Sequence, residues 1–334
     1  MSKSFLSLTS LIVVCGLAHS CATVTPARDP GFDALPLETL KSTRWDSGDT
    51  TISNEARLDL FRPVLEKARG GIYIGVGGLQ NFTMAAWSRS EHIFLMDFTQ
   101  TVVVVNRVQV AFLKAAATGQ EFRDFWLSPA GTAGALAAIE AHMPADKVAR
   151  ARRLYKQSKP FVVRYIKRMD RIRAAHDYAA FYDAPEDYAY LRSLALKNRI
   201  RPVEGNLLGS VTLRGIGNAA ASAGIPVRVL YMSNAEEYFP FRPYPADFIA
   251  NLNALKGDAN SAVIRTVSLN KGIWPWAPGS RLLTTRGFHY GVQSLTDMQA
   301  WLAGPETSVL KMFRVGERGQ PVGLTRLGPP APSP

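Results

Sequence analysis

The chain has 334 residues, 47% of them hydrophobic and 20% charged, with a formal net charge of +12. That balance excludes an intrinsically disordered chain and supplies enough apolar mass for one large domain or two small ones. The two cysteines, Cys15 and Cys21, both fall near the N-terminus, which excludes a disulfide-stapled scaffold.

Residues 1–20 read as an export signal. Lys3 supplies the positive start, and Phe5 to Leu17 is an apolar run too short to span a bilayer comfortably. Ala18-His19-Ser20 then puts small residues three and one positions before Cys21. Cleavage there removes Cys15 and leaves a single thiol as the first residue, the layout of a bacterial lipoprotein in which Cys21 takes the lipid. Leu17 stands one place off the favoured lipobox position, so simple secretion is the alternative. Residues 21–45 have weak periodicity and suit a tether. The expected address is the cell envelope, in the periplasm or at the outer membrane.

The body is expected over 46–326. Leu58, Leu60, Phe61, Val64 and Leu65 fall at helical spacing within Asn54 to Lys67, and Gly70-Gly71 stops that helix. Ile72 to Val76 is an apolar strand that breaks into the turn of Gly75, Gly77 and Gly78. A helix is expected from Thr83 to Trp87 and a second strand over Ile93 to Asp97. Residues 101–117 read as helix, and no strand follows until about 198, which marks a helical insertion over about 105–198. Gly131 to Ile139, Val148 to Tyr178 and Pro185 to Leu196 are its expected helices.

Strands resume at Ile200 to Val203, which leads into Gly205-Asn206. Thr212 to Ala223 is an alanine-rich helix that Gly224 ends. Pro226 to Met232 is a strand entering Ser233-Asn234-Ala235-Glu236-Glu237. A helix over Asp247 to Leu255, strands over Ser261 to Ser268 and Phe288 to Val292, and a short helix over 297–302 complete the body. Residues 327–334 are proline-rich and read as disordered. This alternation predicts an α/β fold, a mainly parallel sheet with helices on both faces.

Chemistry is expected at the carboxyl ends of the strands, where such sheets bind ligands. Gly75, Gly77 and Gly78 let the backbone approach a ligand, and helix amides beyond them can meet an anion. Asp97 lies twenty residues past Gly77, about the offset at which a carboxylate meets ribose hydroxyls. Gln80-Asn81-Phe82 and Ser233-Asn234-Glu236 fall at such strand ends. Their amides and hydroxyls can hydrogen-bond a polar ligand, or Asn and Ser can cap the next helix. Glu236 is the candidate general base, and catalysis itself is left open. Trp274-Pro275-Trp276 could line a ligand or pack a loop. No histidine pattern suggests a metal, and no nucleophile-elbow or P-loop motif occurs.

These features resemble the class I S-adenosylmethionine-dependent methyltransferases. There, a first strand ends in an acid-x-Gly-x-Gly-x-Gly loop and a second ends in a ribose-binding acid. Here Tyr73 stands at the expected first acid, Leu79 at the last glycine, and Asn206 at a third-strand carboxylate, while Asp97 matches the ribose acid. The resemblance covers roughly 55–110 and 198–293 and implies a Rossmann-like fold. It implies S-adenosylmethionine as the possible cofactor, held by Gly75, Gly77, Gly78, Asp97, Asn206, Ser233 and Asn234. The chain also resembles uncharacterised exported bacterial proteins sharing Gly-Val-Gly-x-x-Gln-Asn-Phe and Ser-Asn-Ala-Glu-x-Tyr stretches.

The second signal is charge. From Lys147 to Arg173 there are eleven lysines and arginines against one acid, Asp170. Val162, Tyr165, Ile166, Met169 and Ile172 form an apolar face beside them. Such a helix can lie against anionic lipid headgroups or other envelope polyanions, or simply be a solvated face. Nucleic acid is disfavoured outside the cell. Two readings follow. One is an envelope lipoprotein with a methyltransferase-like fold used as a non-catalytic binding or scaffold module. The other is an enzyme, a methyltransferase or similar, acting on a small polar substrate.

Overall fold

The computed structural model describes residues 30–41, 47–238, 242–268, 287–318 and 323–331. The expected export signal, Cys21 and Trp274-Pro275-Trp276 lie outside them. In chain order the elements begin with α1 (Pro30–Asp33), two 3₁₀ turns (Gly48–Thr51 and Leu58–Phe61) and α2 (Arg62–Lys67). Then come β1 (Ile72–Val76), α3 (Gln80–Trp87), β2 (His92–Asp97) and the helical block. The block is α4 (Gln100–Ala115), α5 (Gly119–Leu127), α6 (Gly131–His142), α7 (Ala145–His176) and α8 (Pro185–Leu196). After it follow β3 (Ile200–Glu204), α9 (Thr212–Ala223), β4 (Val227–Tyr231), a 3₁₀ turn (Ala235–Tyr238), α10 (Ala246–Ala254) and β5 (Ala262–Ser268). The last elements are β6 (Phe288–Ser294), α11 (Leu295–Ala303), α12 (Val309–Val315), β7 (Glu317–Arg318) and β8 (Leu324–Leu327).

The eight strands form one sheet in the order β3-β2-β1-β4-β5-β6-β8-β7. β1 to β5 run parallel, β6 is antiparallel to β5, and β8 runs parallel to β6. The mixed α/β sheet with helices on both faces is therefore present. Side chains alternate across each strand, and two cores result. Tyr73, Ile93, Leu95, Val229 and Tyr231 face α3 to α8, while Ile72, Ile74, Phe94, Met96 and Leu230 face α9 to α12. The whole insertion is thus a layer on one face. Its centre is Phe112, whose ring meets those of Phe122, Phe125, Trp126 and Tyr155. The connection from β3 to β4 crosses to the other face, so the order reverses between β1 and β4. That reversal is where doubly wound sheets open a crevice.

Several elements differ from the sequence reading, each for a local reason. α3 begins at Gln80, directly on the glycine turn. α5, unexpected, starts where Thr118 accepts the Glu121 amide at 3.2 Å. Residues 52–57 form no helix or strand and α2 starts only at Arg62, so the expected helix from Asn54 is shorter. The expected tether is shorter too, because Phe32 is buried with its ring against Phe94. At the other end, Gly328 accepts a hydrogen bond from the Trp301 indole at 2.8 Å. β7 and β8 carry two and four residues, too few to show a period.

His289 on β6 bonds Thr325 of β8 at 2.6 Å. Burial, then the charge of Arg318, lowers its pKa to about 4. Between pH 6.5 and 4 the unfolded chain binds a proton at this position that the folded chain does not. Stability should therefore fall as pH drops through that window, by about 3 kcal/mol in order of magnitude. Urea midpoints across it should show a shallower acid loss for His289→Gln than for the native chain.

Candidate functional site

At the end of β1 the glycines make room for the protein's own groups. A side chain on Gly75 would overlap Asn81 Oδ1 and come within 2.5 Å of the Tyr73 ring. Tyr73 Oη donates to Asn81 Oδ1 at 2.8 Å, and Asn81 Nδ2 donates to the carbonyls of Val76 (3.1 Å) and Gly78 (3.0 Å). Tyr73 thus orients an amide that braces the turn. Gly77 has a φ of +95°, a left-handed backbone that favours glycine. Its carbonyl accepts from Asn106 Nδ2 of α4 at 2.8 Å. Gly78 is covered by the Thr51 carbonyl, which would lie 2.6 Å from an added Cβ.

Gln80 opens α3, and its Oε1 is buried without a hydrogen-bond partner among the described residues. It borders a narrow cavity between α3 and α7 lined by Thr83, Tyr165, Met169, Tyr178 and Tyr182. The free space, about 10 Å³, is the room one water needs.

Asp97 ends β2 and is 6% exposed. Its carboxylate accepts the Thr99 amide at 2.8 Å and so shapes the turn into α4. Asn206 does the same after β3, its Oδ1 accepting the Leu208 amide at 2.9 Å. Asn234 Nδ2 donates to Glu237 Oε2 at 3.3 Å. Glu236 lies apart, on the opposite face of the sheet. Its side chain is fully buried, takes a hydrogen bond from Tyr244 Oη, and pairs with the equally buried Arg265 at 3.3 Å. Arg265 also donates to Gln293 at 2.6 Å. Cutting one partner of such a buried pair strands the other charge. This geometry fits a clamp between the β4 turn, β5 and β6 better than a proton acceptor facing solvent.

The strongest polar cluster centres on a residue that the sequence did not mark, Glu55. It is 1% exposed and lies across the carboxyl ends of β4 and β5. Oε1 accepts from Ser233 Oγ at 2.5 Å and from Thr266 Oγ1 at 2.9 Å, and Oε2 accepts from Ser53 Oγ. Ser233 has a φ of +53°, an uncommon backbone for serine, and its carbonyl accepts the Thr266 amide at 2.9 Å. Burial and then the charge of Glu55 push the Tyr73 and Tyr231 hydroxyls well above their usual range. The structure therefore brings Ser233 together with Glu55 and Thr266, and braces Gly75, Gly77 and Gly78 with Asn81, Asn106 and Thr51. Only the separation of Glu55 from its partners, 178 and 211 positions, hid it from sequence reading.

The basic segment resolves into two sets on α7. Lys159 points inward to Thr132 (2.8 Å) and Tyr155 (3.0 Å), Arg168 donates to the Ser53 carbonyl at 3.0 Å, and Arg173 pairs with Asp170 and Asp183. Arg150, Arg153, Lys156, Arg164, Lys167 and Arg171 are exposed and make no ion pair among the described residues. Among the described residues no group of acids, histidines or cysteines is placed to hold a metal, and no helix is long and apolar enough to cross a membrane.

Fold and site together define an α/β protein whose strand-end crevice is crossed by its own N-terminal segment. The chain belongs to a family described as a domain of unknown function, DUF7790, whose model matches residues 50–328. No curated protein matches the sequence.

Because the Gly75 volume is taken by fixed, hydrogen-bonded groups, Gly75→Ala should destabilise the protein by about 1–3 kcal/mol through overpacking. Chemical denaturation should show that loss, with a matching rise in exchange of the Asn81 side-chain amide in NMR spectra.

Proposed function

We propose that this protein is an exported envelope lipoprotein, anchored through Cys21, that uses its α/β domain as a non-catalytic module for binding anionic surfaces. One observation carries the reading. Six exposed cations on α7, from Arg150 to Arg171, recur at spacings of three, four and eight residues and so share one side of the helix. The stripe runs about 32 Å along the axis, at 1.5 Å per residue. Lysine and arginine beside an anionic leaflet contribute about 1 kcal/mol each, and salt screens them. The export signal and the lipoprotein-like Cys21 support the same address. Anionic lipid headgroups are the expected partner, with other envelope polyanions offering the same chemistry.

The expected experiment uses the mature chain carrying Cys21→Ser, so that no lipid confounds binding. It should sediment with phosphatidylglycerol-containing vesicles and not with neutral ones. Glu replacing Arg153, Lys156, Arg164 and Lys167 should weaken binding on the order of a hundredfold or more. Equal sedimentation of both proteins would refute the reading.

A second reading has its own support. Parallel β1 to β5 in the order 3-2-1-4-5, with Asp97 ending β2, agree with a methyltransferase-type sheet. In that reading S-adenosylmethionine or a similar small polar ligand meets Gly77, Asp97, Asn206 and Asn234. The bracing of the glycine turn by Asn81 and Thr51 favours the first reading. Calorimetry with S-adenosylhomocysteine should accordingly give no heat of binding up to millimolar ligand. Binding that Asp97→Ala abolishes would favour the enzyme instead.

A further inference from the structure

We propose that Ser233, Thr266 and Tyr231, at the carboxyl ends of β4 and β5, form a binding site for the carboxylate of a small organic acid, and that Glu55 of the chain's own N-terminal segment fills it in this structure. Three observations converge. Ser233 and Thr266 come from different strands, yet both hydroxyls donate to the same oxygen of Glu55. Tyr231 ends β4 and is fully buried, with its hydroxyl beside Ser233 and the Glu55 carboxylate. The site therefore gathers a third hydroxyl beside the carboxylate that Ser233 and Thr266 hold. The cluster also sits beside the reversal between β1 and β4, where sheets of this kind take ligands.

Glu55 reaches the site from outside the sheet. Residues 52–57 form no helix or strand, and they are held mainly by side chains. Tyr290 Oη accepts the amides of Ala56 (3.1 Å) and Arg57 (2.8 Å), Tyr178 Oη donates to the Ala56 carbonyl at 2.8 Å, and Arg168 holds the Ser53 carbonyl. Such a strap can be withdrawn without breaking a ladder of the sheet. Beyond its Cα, Glu55 is a propionate, so the free ligand of matching chemistry is a short carboxylic acid. This site stands or falls independently of the cationic face of α7.

The test is rescue. Glu55→Ala in the mature chain should melt several degrees below the native protein. Acetate or propionate at about 100 mM should recover part of that loss, beyond matched chloride, and should leave the native protein unchanged. Adding Ser233→Ala and Thr266→Val should remove the rescue. A variant that responds to carboxylates no more than to chloride overturns the proposal, as does rescue that survives loss of both hydroxyls. If Glu55→Ala does not fold, Glu55→Gln keeps the shape and weakens the charge-assisted bonds. Amides of residues 51–57 should then exchange at least tenfold faster, with those of β4 and β5 unchanged. Unaltered exchange in the strap would overturn the idea that the carboxylate holds it.

Discussion

A carboxylate withdrawn from water costs several kcal/mol unless donors meet it, and Glu55 is withdrawn almost completely. Ser53, Ser233 and Thr266 meet that need, and in doing so they fix the path of the segment before α2. The consequences spread outward. With Glu55 in place, Thr51 covers Gly78 and Ser53 offers its carbonyl to Arg168 on α7. Gly48 packs so closely on α7 that an added Cβ would lie 2.9 Å from the Gln157 carbonyl. The strap is therefore a layer between the strand ends and the helical block, and it joins two parts that the chain order keeps far apart.

That layering explains how α7 carries its charge. A helix of 32 residues spans about 48 Å, enough to reach past the strap on both sides. Its inward cations do structural work on carbonyls and acids, as Lys159, Arg168 and Arg173 show. The outward ones are left in water without local acids. Six exposed cations thus share a helix whose reverse side is the strap's seat.

Much of this fold was legible because glycine and periodicity mark it locally. β1, α9 and β5 could be placed to within a residue or two, and the two-faced α/β arrangement followed from their alternation. What escaped notice depended on distance or brevity. α5 is short, and β7 has only two residues. α3 starts at Gln80, three residues before the expected Thr83, because Gln80, Asn81 and Phe82 turn inward instead of toward a ligand. Their side chains are buried in the helix's first turn, and Asn81 supplies the bracing bonds. Glu55 offered no sign at all. An isolated acid in an extended polar stretch is ordinary until strands two hundred positions away bring it hydroxyls.

The candidate site shows why a glycine-rich turn is ambiguous evidence. Glycine permits close approach, but it does not specify what approaches. In a nucleotide-binding turn the volume left by the missing Cβ faces a phosphate or sugar. Here the corresponding volumes at Gly75 and Gly78 are occupied by Asn81, Tyr73 and the Thr51 backbone. Tyr73 takes part in that filling, because its hydroxyl orients the amide that occupies the space. The tyrosine and the amide belong to one arrangement. The β1 turn is thereby closed by the chain's own groups, while the hydroxyls of β4 and β5 close over Glu55.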